Sequence, residues 1–205
     1  MLQAVILDCD GVLFDSLAAN VAYYNAVLAA LGHPPMDATA TRVAHQLSSR
    51  QLFEHLFGND PALIERARAV AMSVEYEPFY GLMQPVPELH PTLATLQNRY
   101  RLALATNRGF TAHEVVRRFD LGRYLELAVG INDVPRPKPH PDMLEKCLAH
   151  FRLAPQEAVY VGDAPSDHTA ATAAGMHFIG VGEHLDVPHR VTELRDLPEA
   201  VTAIR

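Results

Sequence analysis

Four times in this chain a short, β-prone apolar run breaks off at polar residues, and that repetition constrains the fold more than any other feature. Val5-Ile6-Leu7 stops at Asp8-Cys9-Asp10-Gly11, and Leu102-Ala103-Leu104-Ala105 stops at Thr106-Asn107. Leu127 to Ile131 gives way to Asn132-Asp133, and Ala158-Val159-Tyr160-Val161 to Gly162-Asp163. Continuous apolar runs of this length read as strands buried on both faces, delivering polar groups at their carboxyl ends. Helical patterns lie between them at Thr111 to Phe119, Pro141 to Phe151 and Pro165 to Ala174, the last closed by Gly175. Phe178-Ile179-Gly180-Val181 reads as one more strand. Strand and helix alternate, which predicts an α/β protein with a doubly wound parallel sheet, whose ligands bind beyond the carboxyl ends of the strands.

The alternation fails between about Ser16 and Gln84, where the periodicity is helical and no strand is evident. A first helix would place Leu17, Val21, Tyr24, Leu28 and Leu31 on one face and end at Gly32, before His33-Pro34-Pro35. Asp37 and Ser48 or Ser49 are placed to cap two shorter helices. Asp60-Pro61 supplies the N-cap and first-turn proline of a fourth helix running towards Phe79. Pro85, Pro87 and Pro91 mark the return, and Leu93 and Leu96 restart a helix before the second strand. The division expected is a core of residues 1–15 and 85–205 with an all-helical cap, 16–84, inserted after the first strand.

Composition narrows the function classes. A chain of 205 residues holds one domain, or one with a small insert. With 17 Lys and Arg against 24 Asp and Glu, a net charge of −7 lacks the basic footprint of a nucleic-acid binder. Cys9 and Cys147 form neither a disulfide framework nor a zinc spacing. The opening run has no basic leader and falls far short of the ~18 apolar residues of a membrane helix, so no membrane and a cytoplasmic location are the expectations.

The strand ends carry the chemistry. Residues two apart in an extended strand point the same way, so Asp8 and Asp10 share one side and Cys9 faces the other as a small buried side chain. Two adjacent anions are costly without a cation. Asp163 and Asp167 add carboxylates at another strand end, and the four together favour a hard cation with oxygen ligands, Mg²⁺ first. Lys138, in Arg136-Pro137-Lys138-Pro139-His140-Pro141, sits on an arm stiffened by prolines. Thr106 and Asn107 offer a hydroxyl, an amide and backbone donors to phosphoryl oxygens. Carboxylate nucleophile, second carboxylate, metal, hydroxyl and lysine together describe phosphoryl transfer through an aspartyl-phosphate.

These residues resemble, in order, the four motifs of the haloacid dehalogenase (HAD) superfamily of phosphatases. Asp8-Cys9-Asp10-Gly11-Val12-Leu13-Phe14-Asp15-Ser16 resembles the first, Thr106-Asn107 the second, Lys138 the third, and Gly162-Asp163 through Asp167 to Gly175 the fourth. The insert is similar to the helical cap of the phosphoglycolate phosphatase and β-phosphoglucomutase branch. The resemblance implies a Rossmann-like core and a Mg²⁺-dependent phosphatase of a small phosphorylated metabolite. It implies that Asp8 attacks phosphorus while Asp10 protonates the leaving oxygen and then activates water. Asp8, the backbone carbonyl of Asp10, and Asp163 would hold Mg²⁺. Thr106, Asn107 and Lys138 would bind the phosphoryl group, Asp167 would orient Lys138 or a metal-bound water, and Gly11 would permit a tight turn. Two departures stand out: Pro85-Val86-Pro87-Glu88 where Pro-Gly-Val is usual, and Arg108 where a smaller residue is common.

Arg108 is therefore a candidate for contact with the substrate, as is Arg50 in the insert, with Tyr23, Tyr24 and Asn25 beside it as weaker choices. The histidines, among them His45, His55, His140, His184 and His189, read as surface or core residues. A sugar-phosphate mutase would use the same catalytic residues, and Val12 in place of a common threonine hints that way. A dehalogenase would need Asp8 but not the rest of the set. A receiver-type phosphoacceptor module combines similar residues but carries its acceptor on a later strand and no insert. Neither the individual substrate nor the oligomeric state is legible in the sequence.

Overall fold

The computed structural model describes residues 1–44, 47, 49–58, 60–183 and 185–204; His45, Ser48 and His184, on which sequence expectations fell, lie outside the described residues. Two compact units are present, one of Met1–Phe14 with Pro85–Arg205 and the other of Asp15–Gln84.

In chain order, β1 (Ala4–Leu7) opens the first unit, and the two-residue strands β2 (Phe14–Asp15) and β3 (Gln84–Pro85) mark the crossings between units. Between them lie α1 (Leu17–Ala30), α2 (Ala38–Val43), α3 (Ser49–Phe57) and α4 (Pro61–Ser73). After β3 follow α5 (Leu89–Gln97), β4 (Arg101–Ala105), α6 (Thr111–Arg118), β5 (Leu127–Val129), α7 (Asp142–Phe151), β6 (Ala158–Gly162), α8 (Pro165–Ala174), β7 (His177–Val181), β8 (Arg190–Val191) and α9 (Leu197–Ala203).

The sheet runs β5-β4-β1-β6-β7-β8 with every paired neighbour parallel, the doubly wound arrangement expected. Along β1, Ala4 and Ile6 face a cluster with Met143, Leu144, Cys147 and Phe151 of α7 and Ala170, Ala171 and Ala174 of α8. Val5 and Leu7 alternate to the other face and are equally buried, as are Leu93 and Leu96 of α5 and Val201 of α9. Residue pairs Leu7↔Leu104 and Leu7↔Val161 set the three central strands in register, so their carboxyl ends finish side by side. Asp8, Thr106 and Asp163 emerge from that shared edge.

The helical unit packs Tyr24 and Val27 of α1 against Leu52 and Phe53 of α3 and Ala67 of α4. Full burial of an aliphatic or aromatic side chain contributes about 1.5–3 kcal/mol each, enough to hold short helices of modest propensity. Asp37 caps α2 by accepting from the backbone N–H groups of Thr39 and Ala40, both at 2.8 Å. Asp60 caps α4 through Leu63 N–H at 3.0 Å, with Pro61 in the first turn.

Three details depart from the sequence expectations. Helix α4 ends at Ser73 rather than near Phe79: Val74 is extended, and Pro78 has no N–H to offer the Val74 carbonyl, so a separate 3₁₀ turn forms at Glu77–Leu82. Ser49 is the first residue of α3 and not its cap. Strand β5 stops at Val129 because the Asp133 carboxylate accepts the Gly130 N–H at 2.8 Å and turns the chain into a 3₁₀ segment, Ile131–Asp133.

Candidate active site

Five buried polar residues of the core unit gather at the carboxyl edge of the sheet: Asp8, Thr106, Arg108, Lys138 and Asp167 are all nearly inaccessible to solvent. Asp8 follows β1 directly, its N–H donating to Val161 O at 2.9 Å across the β1–β6 boundary and its Oδ1 accepting from Cys9 N–H at 2.7 Å. The backbone then folds back on itself, with Leu13 N–H on Cys9 O and Gly11 N–H on Phe14 O. Cys9 is fully buried, and burial, ahead of the Asp10 charge, pushes its thiol far above the ordinary range. It is no nucleophile.

Lys138 reaches into the same edge. Its ammonium lies 2.9 Å from Asp8 Oδ1 and 2.7 Å from Asp167 Oδ1, and it also donates to the Tyr160 hydroxyl at 2.8 Å and the Ala105 carbonyl at 3.3 Å. The arm that carries it, with a cis Lys138-Pro139 peptide, is clamped by Asn107. The Asn107 side-chain amide accepts from Lys138 N–H and donates to Lys138 C=O, both at 3.1 Å. Asn107 thus places the lysine, a part that the sequence reading did not give it. Burial alone would lower the Lys138 pKa, but the Asp167 and Asp8 charges outweigh it and hold the ammonium above its ordinary range. It stays charged.

Asp167, on the first turn of α8, accepts Ala164 N–H at 3.0 Å through Oδ2 while Oδ1 faces Lys138. Oxygens of Asp8, Asp163 and Asp167 lie within 4.8 Å of one another. Burial, followed by the Asp8 charge, pushes Asp163 up to about 8, and burial against the pull of Lys138 leaves Asp8 raised to about 7. These are carboxylates short of positive charge. A hard divalent cation with oxygen ligands would supply it, and the geometry around Gly11 fits such a site: a Cβ there would stand 1.9 Å from Asp163 Oδ2, so only glycine lets the Asp163 carboxylate lie against this turn.

The fourth carboxylate is differently partnered. Arg108 donates to Asp10 Oδ1 from Nη2 at 2.6 Å and from Nε at 3.1 Å, with both side chains largely buried. Thr106 Oγ1 accepts Arg108 N–H at 3.2 Å, which ties the hydroxyl to the same loop. Of the sequence candidates, Asp8, Asp10, Thr106, Asn107, Arg108, Lys138, Asp163 and Asp167 therefore share one edge of the core unit. Arg50 lies in the helical unit, 71% exposed and paired with Glu54 one turn along α3 at 2.9 Å. His140 is exposed.

Sequence reasoning missed Tyr160. Its hydroxyl, fully buried, lies 3.0 Å from Ala105 O and 3.1 Å from Asp167 Oδ1 besides accepting from Lys138. The signal was present: a tyrosine in an otherwise aliphatic buried strand needs a partner for its hydroxyl.

The description haloacid dehalogenase-like hydrolase belongs to the family model that matches residues 5–181, from β1 through β7 and hence across every strand end just described. A phosphoglycolate phosphatase of Nitrosococcus oceani is 26% identical over 186 residues, 86% of this chain and 82% of that protein. Phosphoglycolate phosphatase 1 of Pseudomonas aeruginosa is 31% identical over 183 residues, 85% of this chain and 67% of that protein. Among solved structures, a HAD-superfamily hydrolase of subfamily IA, variant 1, from Geobacter sulfurreducens is 34% identical with a TM-score of 0.77, covering 97% of this chain and 95% of that one. Among the described residues no helix is long and apolar enough to cross a membrane.

Proposed function

The chain belongs to the haloacid dehalogenase-like hydrolases, and on that premise we propose that it is a Mg²⁺-dependent phosphatase of a small phosphorylated metabolite, working through a phosphorylated Asp8. The observation that carries the reading is the Lys138 ammonium set between Asp8 and Asp167, with Asp163 close by and Asp10 two residues along the turn. The phosphatase names of the two relatives support the reaction class, and they make phosphoglycolate the first substrate to try.

Asp8 attacks phosphorus, forming an Asp8 Oδ–P bond as the ester P–O bond breaks. Asp10 gives its proton to the departing oxygen. A water then yields a proton to Asp10 as its oxygen attacks phosphorus, the Asp8–phosphorus bond breaks and inorganic phosphate leaves. Lys138 and Thr106 hold the phosphoryl oxygens, and the charge of Lys138 offsets that of the nucleophile. Asp8 and Asp163, with the Asp10 carbonyl, would hold Mg²⁺, which when bound supplies charge for the phosphoryl oxygens; Asp167 keeps Lys138 aimed. Residues 16–84 are read as the cap that selects the rest of the substrate, with Arg50 as its first candidate. Cytoplasmic action on free metabolites accords with this reading.

The test is phosphate release from a panel of phosphate monoesters with Mg²⁺. Release that EDTA abolishes and Asp8→Asn removes is expected. Turnover undiminished in Asp8→Asn would overturn the assignment of the nucleophile, and interconversion of a hexose 1-phosphate without phosphate release would make the protein a mutase.

A further inference from the structure

Arg108 is tied down at both ends. Its backbone N–H donates to Thr106 Oγ1 at 3.2 Å and its carbonyl accepts from Ile131 N–H at 3.0 Å, so the loop after β4 is fixed against the segment after β5. Its guanidinium reaches Thr111 Oγ1 at 3.4 Å through Nη1, while Nε and Nη2 both converge on Oδ1 of Asp10. The side chains of Arg108 and Asp10 are only 5% and 17% exposed. A buried ion pair of this kind adds little net stability over apolar residues of similar size, because the desolvation of both ions offsets their attraction. Its placement calls for another explanation.

Two charged donors converging on one carboxylate oxygen hold the group in place. We propose that Arg108 is a positioning residue for the acid–base step, gripping the Asp10 carboxyl by Oδ1 and holding it in the turn after β1, where it gives its proton to the leaving group and later takes one from water. The proposal rests on the reading of Asp8 as nucleophile and Asp10 as acid. The arrangement gives a use to the long cationic side chain that follows Asn107, which spans from the β4 loop to the turn after β1.

The measurement is kcat/KM, which reports steps only through departure of the leaving group, on two substrates. An alkyl phosphate such as phosphoglycolate expels an alkoxide that needs a proton, whereas p-nitrophenyl phosphate expels a stable phenolate that does not. Arg108→Gln is expected to lower kcat/KM for the alkyl ester by roughly 10²-fold and for the aryl ester far less. Asp10→Asn should show the same selectivity, Arg108→Lys should recover part of the loss, and the double variant R108Q/D10N should lose no more than D10N alone. Should R108Q fail to fold, R108K and the double variant, which leaves no unpaired charge, carry the comparison. Equal losses on both substrates would mean that Arg108 binds the phosphoryl group or only supports the fold, and a double variant much worse than D10N would mean that it acts independently of Asp10; either overturns the proposal. A wild-type protein that releases no phosphate from any monoester, or an Asp8→Asn variant that still does, would instead strike the underlying reading, and the positioning role would fall with it.

Discussion

The Lys138 ammonium lies 2.7 Å from Oδ1 of Asp167, a carboxylate with no solvent exposure at all. The same nitrogen is 2.9 Å from Asp8, so one buried cation serves two anions from different strand ends. Lys138→Met would leave both without that partner. Removing one member of a buried pair costs about 3–5 kcal/mol, and loss of a preorganised charge at a phosphoryl site costs about 10²–10³-fold in kcat. Urea unfolding and steady-state kinetics of the variant measure the two effects. A double variant that also carries Asp167→Asn should regain stability but not activity; equal recovery of both would refute the division of labour.

Tyr160 gives a subtler prediction. Its hydroxyl accepts from Lys138 and lies within reach of Ala105 O and Asp167 Oδ1, so Tyr160→Phe deletes one polar atom from a sealed network. Leaving such groups short of a partner costs about 1–3 kcal/mol. Thermal unfolding should register the loss, with a smaller effect on KM than on kcat because the ammonium still faces Asp8. An unchanged melting temperature would mean that the network closes without the hydroxyl.

How much of this could be read in advance follows from the range of each signal. An apolar run ending in Asp8 or Asp163 is local, so the strands, their carboxyl ends and the carboxylates on them were legible, as were the caps Asp37 and Asp60. The Arg108–Asp10 pair joins residues 98 apart, and nothing in either neighbourhood announces the other. Tyr160 was classed with the core because periodicity reports burial and says nothing of what a hydroxyl meets there. Strand β8, two residues long, carries too little pattern to detect.

The raised carboxyls predict how metal and pH act together. Asp8 and Asp163 move from 3.8 up to about 7 and about 8, so between about pH 4 and pH 8 these two groups bind more protons in the folded metal-free protein than in the unfolded chain. Their contribution to the stability of that form therefore falls as pH rises through this window and is greatest below about 3.8. Mg²⁺ competes with those protons, so its stabilisation should be small at pH 5 and larger at pH 8, with proton release on binding near neutrality. Melting curves at both pH values, with Mg²⁺ or with EDTA, measure this. A Mg²⁺-induced shift of equal size at pH 5 and pH 8 would contradict it.

Gly11 separates backbone strain from damage to the site. Its φ of +75° and the 1.9 Å approach of Asp163 Oδ2 to a Cβ position mean that Gly11→Ala suffers twice. Gly32 has the same φ but nothing within 4 Å of its Cβ position, so Gly32→Ala isolates the strain. Left-handed backbone costs an L-residue roughly 1–2 kcal/mol, so Gly32→Ala should lose about that much stability and Gly11→Ala more. Only Gly11→Ala displaces the Asp163 carboxylate. Its Mg²⁺ affinity, followed by calorimetric titration, should fall roughly tenfold or more, as when a ligand's support is removed, while Gly32→Ala binds as the parent does. Equal affinities in the two variants would show that Asp163 is not held in place by the turn at Gly11, and the fit of the cation to this cluster would lose its steric basis.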